Sequence, residues 1–327
     1  MNILITLDYE LFYDKKPSLE EQIINPTKEL LKIADPLNIK LVLFVDVGYL
    51  KCLEKFKGEY PELENDYHLI TSQLRELCEK GHEAQLHIHP HWEDTYFNGK
   101  EWVFDLTRYR LSHFTDDEIL RIVTEYREIL HRISGQEITA YRAGGWSAQP
   151  WEPIGKALKE NNVSIDSTVY PKGVMKSKEQ WFDFANVNSD KTSWRFSNDL
   201  TKEDKDGYFR EVAISAYRVS PLFFWDFAFK RLTKAKGHNA LSDASARPSN
   251  KQIFKLLTRP SNSVVSIDGL KASYLEKAYN WYKKRMLNDF VIIGHPKAFT
   301  PYSLEKFKQF IEKENRHKDV VLFSKYK

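Results

Sequence analysis

Four of the chain's ten histidines fall in one stretch, Gly81-His82-Glu83-Ala84-Gln85-Leu86-His87-Ile88-His89-Pro90-His91-Trp92. Three of them, His87, His89 and His91, alternate at the end of a β-favouring run. Neutral imidazole is a favoured ligand of zinc and its neighbours. His87 and His89 can reach one ion from an extended chain, because residues i and i+2 share a face. His87 and His91 can do so if the chain turns after His89. His82 precedes the run and reads as structural or supporting. A second cluster, Asp8-Tyr9-Glu10, follows the apolar run 3–7. The same alternation projects Asp8 and Glu10 into one site. A third is Tyr141-Arg142-Ala143-Gly144-Gly145-Trp146. Its arginine is a permanent cation able to grip a carboxylate, and its glycines permit close backbone approach. A fourth, Gly294-His295-Pro296-Lys297, places a histidine where acid–base work is natural. Asp46 and Asp166 also close β-rich runs.

These clusters need elements that bring them together. Runs at 3–7, 40–47, 83–88, 138–142, 163–166, 264–267, 290–293 and 320–323 read as strands. Between them the pattern predicts a helix from Asn25 as N-cap and Pro26 to about Asp35. Further helices are predicted over 70–80, stopped by Gly81, and after a Thr115…Glu118 capping box as far as Gly135. The spacing predicts others over 151–161, 271–287 and 303–315. Strand–helix alternation predicts an α/β fold with a parallel sheet or barrel and right-handed crossovers. In such folds sites lie at the C-terminal strand ends, where all four clusters fall. Residues 1–327 read as a single domain, with a less regular insertion around 189–250. The aromatic, basic stretch 221–231 reads as a buried helix ahead of a membrane-surface one.

Composition narrows the function classes. The 327 residues are 42% hydrophobic and 29% charged, as in an ordinary folded chain. The net charge of +3 makes no electrostatic case for nucleic acid. Cys52 and Cys78 match no metal or redox spacing and read as reduced thiols of a cytoplasm. The start, Met1-Asn2-Ile3-Leu4-Ile5, has no basic region or cleavage site, and no apolar run approaches ~20 residues. A cytoplasmic, unexported protein without a transmembrane segment is expected.

In order, these motifs resemble the polysaccharide deacetylase family, the NodB-homology domain of carbohydrate esterase family 4. An Asp motif follows the first strand, then His-x-x-x-His, an Arg motif and a late His motif, together spanning residues 3–296. The resemblance implies a distorted (β/α) barrel of about seven parallel strands that removes acetyl groups from sugars. It implies a divalent metal ion, zinc ahead of cobalt, nickel or manganese. It makes Asp8 the general base, His87 and His91 metal ligands, Arg142 the residue orienting the base, and His295 the general acid. Three positions depart from the usual pattern. Tyr9 stands where the metal-binding Asp normally follows the base, which makes Glu10 the third ligand. Ile88 replaces a Ser or Thr, and Gly144-Gly145 replaces prolines. A backbone N–H near Gly145 or Trp146 is expected to face the oxyanion. Trp92 and Trp146, with Tyr9 and Gly145, are expected to shape the substrate rim, and His89 and Asp46 are additional site candidates. The expected partner is an acetylated sugar or glycan intermediate of surface-polysaccharide metabolism, with peripheral membrane contact allowed. Two other readings are an amidohydrolase-type metal hydrolase using His87 and His89, and a non-catalytic glycan-binding protein on the same fold.

Overall fold

The computed structural model describes residues 1–12, 16–233, 235–241 and 250–327. Its main sheet has eight strands: β1 (Asn2–Tyr9), β2 (Val42–Asp46), β3 (Glu83–Ile88), β4 (Ala140–Ala143), β5 (Ile165–Asp166), β6 (Ser193–Phe196), β7 (Phe209–Val212) and β8 (Asp289–Gly294). They run in the order β6-β7-β5-β4-β3-β2-β1-β8. Seven are parallel, and β6 is antiparallel on β7. Short segments nearly close the sheet on itself. The Ser215 N–H donates to Val291 O (3.1 Å), Val265 N–H to Ser215 O (2.7 Å) and Ile293 N–H to Val265 O (3.1 Å). The result is the expected distorted barrel of seven parallel strands.

The helices wrap its outside: α1 (Asn25–Ala34), α2 (Val47–Phe56), α3 (Pro61–Glu79), α4 (Asp116–Ser134), α5 (Glu152–Glu160), α6 (Pro221–Leu232), α7 (Asn250–Thr258), α8 (Leu275–Lys284) and α9 (Pro301–Glu312). The two-residue period of β1 sorts its side chains. Ile3, Ile5, Leu7 and Tyr9 join the core shared with the helices. Leu4 faces inward with Val42, Phe44, Ala140, Ile165, Val212 and Val291. Phe323 seals that floor, its ring centroid 5.5 Å from that of Phe44. Further along the same inward face come Thr6, Asp8 and Glu10. An apolar floor under a polar C-terminal mouth is therefore written into one alternating strand.

Several boundaries differ from expectation. The chain is already helical over Glu20–Ile24, so Asn25 starts α1 rather than capping it. Helix α3 begins at Pro61, with Glu62 and Glu64 in a first turn that the macrodipole favours. Residues 320–323 make only a bridge from Val320 to Ile3 before a 3-10 turn aims Phe323 into the barrel. The stretch 271–287 is a 3-10 segment, Gly269–Tyr274, followed by α8. Of 264–267, Val264 ends a strand, Ser261–Val264, that pairs antiparallel with Ala216–Val219. The described part of residues 189–250 contains β6, β7 and α6. The capping box of Thr115 and Glu118 and the left-handed Gly135 stop (φ 68°) frame α4 as the sequence indicates.

His82 ties β3 to β2. Its buried Nδ1 accepts the Leu41 N–H at 3.0 Å. Burial, with the nearby Lys40 charge, pushes its pKa down to about 4. The unfolded chain takes up this proton near pH 6.5, so stability conferred by neutral His82 is lost as pH falls from 6.5 to 4. A loss of about 2–3 kcal/mol is expected across that window. It is measured as the fall in chemical-denaturation midpoint on acidification, and His82→Asn should flatten it.

Candidate active site

Strands β4, β3, β2, β1 and β8, neighbours in that order, end at the polar mouth of the barrel. The Arg142 guanidinium is fully buried on the Phe44 ring, 4.0 Å from its centroid. Its Nε and Nη2 donate to Ser167 O (2.8 Å) and Ser167 Oγ (3.0 Å), and Nη1 donates to Asp8 Oδ1 at 2.5 Å and to Thr6 Oγ1 at 3.1 Å. Burial alone would raise the Asp8 pKa. The Arg142 charge, with His87 and His295, overrides it and holds this carboxyl well below the usual range. Asp8 is thus an ionised, oriented acceptor.

Glu10, one pleat further, faces His87 and His89. Its Oε2 lies 3.3 Å from His87 Nε2 and 2.5 Å from His89 Nε2, and the two Nε2 atoms are 3.1 Å apart. His87 Nδ1–H donates to the Arg142 carbonyl at 2.9 Å. That bond assigns a proton to Nδ1 and turns Nε2 toward Glu10 and His89. Three Lewis-basic atoms turned toward one point suit a divalent cation, and Glu10, His87 and His89 form a group whose ligand atoms lie within 4.8 Å of one another. Lys297 donates to Glu10 Oε1 (2.8 Å) and to Leu11 O (2.8 Å), so Oε2 is the oxygen presented to such an ion.

His295 completes the mouth. Its Nε2 is 3.5 Å from Asp8 Oδ2 and 3.8 Å from Glu10 Oε1. Its Nδ1–H and backbone N–H both donate to Asp268, each at 2.8 Å. Burial works against the cation, but Asp268 and then Asp8 outweigh it and raise the His295 pKa to about 10. The mouth thus joins an ionised carboxylate to a protonated imidazole.

The remaining expected residues are placed differently. His91 is buried among rings, 5.2 Å from Trp92, 5.9 Å from Phe104 and in a stacked arrangement 6.1 Å from Tyr109. Burial, then the neighbouring His89, holds its pKa well below the ordinary value. His89, not His91, stands with His87 and Glu10. Tyr9 is turned to the opposite face, where its hydroxyl donates to Gln73 Oε1 at 2.5 Å. Trp92 is also buried, donating to Asp46 Oδ2 at 2.7 Å and packing against Tyr49 and Trp102. Tyr9 and Trp92 therefore support the barrel wall instead of facing a substrate. Asp46, inward-facing like Val42 and Phe44, lies beside the site, where burial raises its pKa against the opposing pull of His89 and His87. Asp166 binds the N–H and hydroxyl of Thr168, beside Glu211, whose pKa burial and Asp166 push up. It braces the loop that receives Arg142. Gly145 and Trp146 are half-buried at the rim, with consecutive left-handed φ values of 59° and 58°. That conformation is strained for a tryptophan. A Cβ on Gly144 would sit 2.7 Å from His89 Nδ1, so only glycine lets that ring stand where it does.

Sequence reasoning missed Asp268, Ser167 and Lys297. Asp268 follows the predicted strand 264–267, and its strand-end position was the available signal. Lys297 sat within the fourth motif. Ser167 acts through its main-chain carbonyl and hydroxyl, which no spacing announces.

No family model matches the chain, and neither does any curated protein. Solved structures do. A Mycobacterium smegmatis protein described as a polysaccharide deacetylase aligns over 99% of this chain and 87% of its own, at 17% identity and a TM-score of 0.53. Puue allantoinase aligns over 97% and 85% (14% identity, TM-score 0.48). A Pseudomonas aeruginosa PAO1 protein described as a polysaccharide deacetylase aligns over 97% and 86% (13%, 0.47). The first of these likenesses shows a shared fold, the one the motif resemblance implies.

Proposed function

We propose that this protein is a metal-dependent hydrolase that removes an acetyl or similar acyl group from an N-acylated sugar or glycan intermediate. One observation carries the reading. An oriented ionised carboxylate, a protonated imidazole and a pre-set Glu–His–His group meet within hydrogen-bonding reach at one barrel mouth. A divalent ion held by Glu10, His87 and His89 would polarise the acyl carbonyl and lower the pKa of a water. Asp8 accepts the water's proton as it attacks, and Arg142 fixes the carboxylate's position and keeps it ionised between turnovers. His295, held cationic by Asp268, donates a proton from Nε2 to the departing amine. The rim at Gly145 and Trp146 is the surface proposed for the sugar and for an oxyanion-facing N–H.

The order of motifs along the chain, the shared fold and the charge states of Asp8 and His295 support this reading. A second reading, hydrolysis without a metal, is favoured by Lys297, a fixed cation already on Glu10. Acetate release from N-acetylated glucosamine oligomers, with chelator and then with zinc, cobalt, nickel or manganese restored, separates the two. The proposal expects release that chelation abolishes and metal restores. Release unaffected by chelation supports the second reading, and glycan binding without release would sink both.

A further inference from the structure

Helix α6 packs one face inward. Phe223, with Val219 and Leu270, is buried against Tyr274 and Tyr302. A different face carries Leu222, Trp225, Phe229 and Leu232, spaced three, four and three residues apart, which aligns them in one stripe. Their exposures are 76%, 56%, 64% and 86%. On α7, Phe254 is 70% exposed, and Trp225 Nε1–H donates to Leu257 O at 3.0 Å, joining the two helices. Soluble surfaces seldom present large apolar side chains as a continuous band. The stretch was expected as a buried helix, and the structure leaves its stripe open.

Charge surrounds the stripe unevenly. In sequence, residues 221–259 hold eight Lys and Arg against two Asp. Removing these from the totals of 49 and 46 leaves 41 basic and 44 acidic residues in the rest of the chain. In sequence, the chain's entire positive surplus therefore lies within the segment that carries the exposed apolar stripe. Lys236, Lys255 and Arg259 are exposed in the described part of it. Apolar and aromatic side chains on one helical face with a basic surround match the interface of an anionic bilayer. A protein partner's groove would explain the stripe but not the gathering of one charge sign. The segment after α6 is also fastened beside the active site. The Gly237 carbonyl accepts the Tyr302 N–H (3.0 Å), and Leu241 N–H donates to Phe299 O (2.8 Å), both just beyond His295.

We infer that α6, with α7, seats this protein on the surface of an anionic lipid bilayer through the Leu222–Trp225–Phe229–Leu232 stripe. The helix lies in the headgroup region without spanning; no described helix is long and apolar enough to cross a membrane. The inference stands apart from the reaction proposed above, since vesicle binding is read without substrate.

The test is sedimentation of the full chain with phosphatidylcholine vesicles, with and without phosphatidylglycerol. Binding to the anionic vesicles that weakens with added salt is expected. Phe229→Glu with Leu232→Glu should lower the partition coefficient at least about tenfold. Lys255→Glu with Arg259→Glu should lower it on anionic vesicles while leaving the melting temperature unchanged. Failure of the wild type to bind either vesicle overturns the inference, as does equal binding by the Phe229/Leu232 variant. A concentration-dependent dimer that Phe229→Glu dissolves, with no vesicle binding, would instead make the stripe an interface between copies.

Discussion

Asp8→Asn is expected to lower kcat for acyl release by about two to four orders of magnitude, with metal content unchanged. The substitution is nearly isosteric, and the amide oxygen can still accept the Arg142 Nη1–H. What disappears is the negative charge that takes up the water's proton. Arg142 keeps Ser167 and Thr6 as partners. It loses its compensating charge in a fully buried setting, so a lower melting temperature is expected as well. Circular dichroism and elemental mass spectrometry on the same sample separate lost chemistry from lost fold. Retention of more than about a tenth of the wild-type rate would remove Asp8 as the base, because proton transfer contributes at least ~100-fold when it is in use.

Exchange of His89 is expected to remove bound metal, and exchange of His91 is not. In His87→Ala and His89→Ala, elemental analysis should find metal at background. Glu10→Gln should weaken retention, because the neutral amide oxygen replaces Oε2 as ligand. His91→Phe should retain metal, since its ring fills the space among Trp92, Phe104 and Tyr109 without offering nitrogen. His91→Ala should also retain it, but with about 2 kcal/mol or more lost from stability through the cavity left behind. Metal lost from the His91 variants and kept in His89→Ala would restore the His-x-x-x-His pair as the ligand set. The outcome also bears on the metal-free reading, because no stable metal in the wild type would leave Lys297 as the cation beside Glu10.

Much of the barrel was legible because its signals are local. Apolar runs ending in polar clusters marked β1, β3, β4 and β8, and the capping box of Thr115 and Glu118 with the Gly135 stop marked α4. One strand's alternation placed Asp8 and Glu10 on a shared face without any tertiary information. The short strands β6 and β7 were not legible, because they pair within a polar, charged segment whose burial depends on distant neighbours. Residues 320–323 looked like a strand because their apolarity serves the barrel floor instead. The same limit applied at the site. Residue types and order along the chain determined which groups meet: carboxylates, imidazoles and one arginine at strand ends. Only the tertiary structure decided which histidine stands with His87 and Glu10, because that depends on the turn after His89 and on the aromatic rings that enclose His91. It also decided the charge states. Asp8 is held ionised by a guanidinium from a strand 134 residues away, and His295 is held cationic by Asp268, contacts that no spacing in the chain specifies.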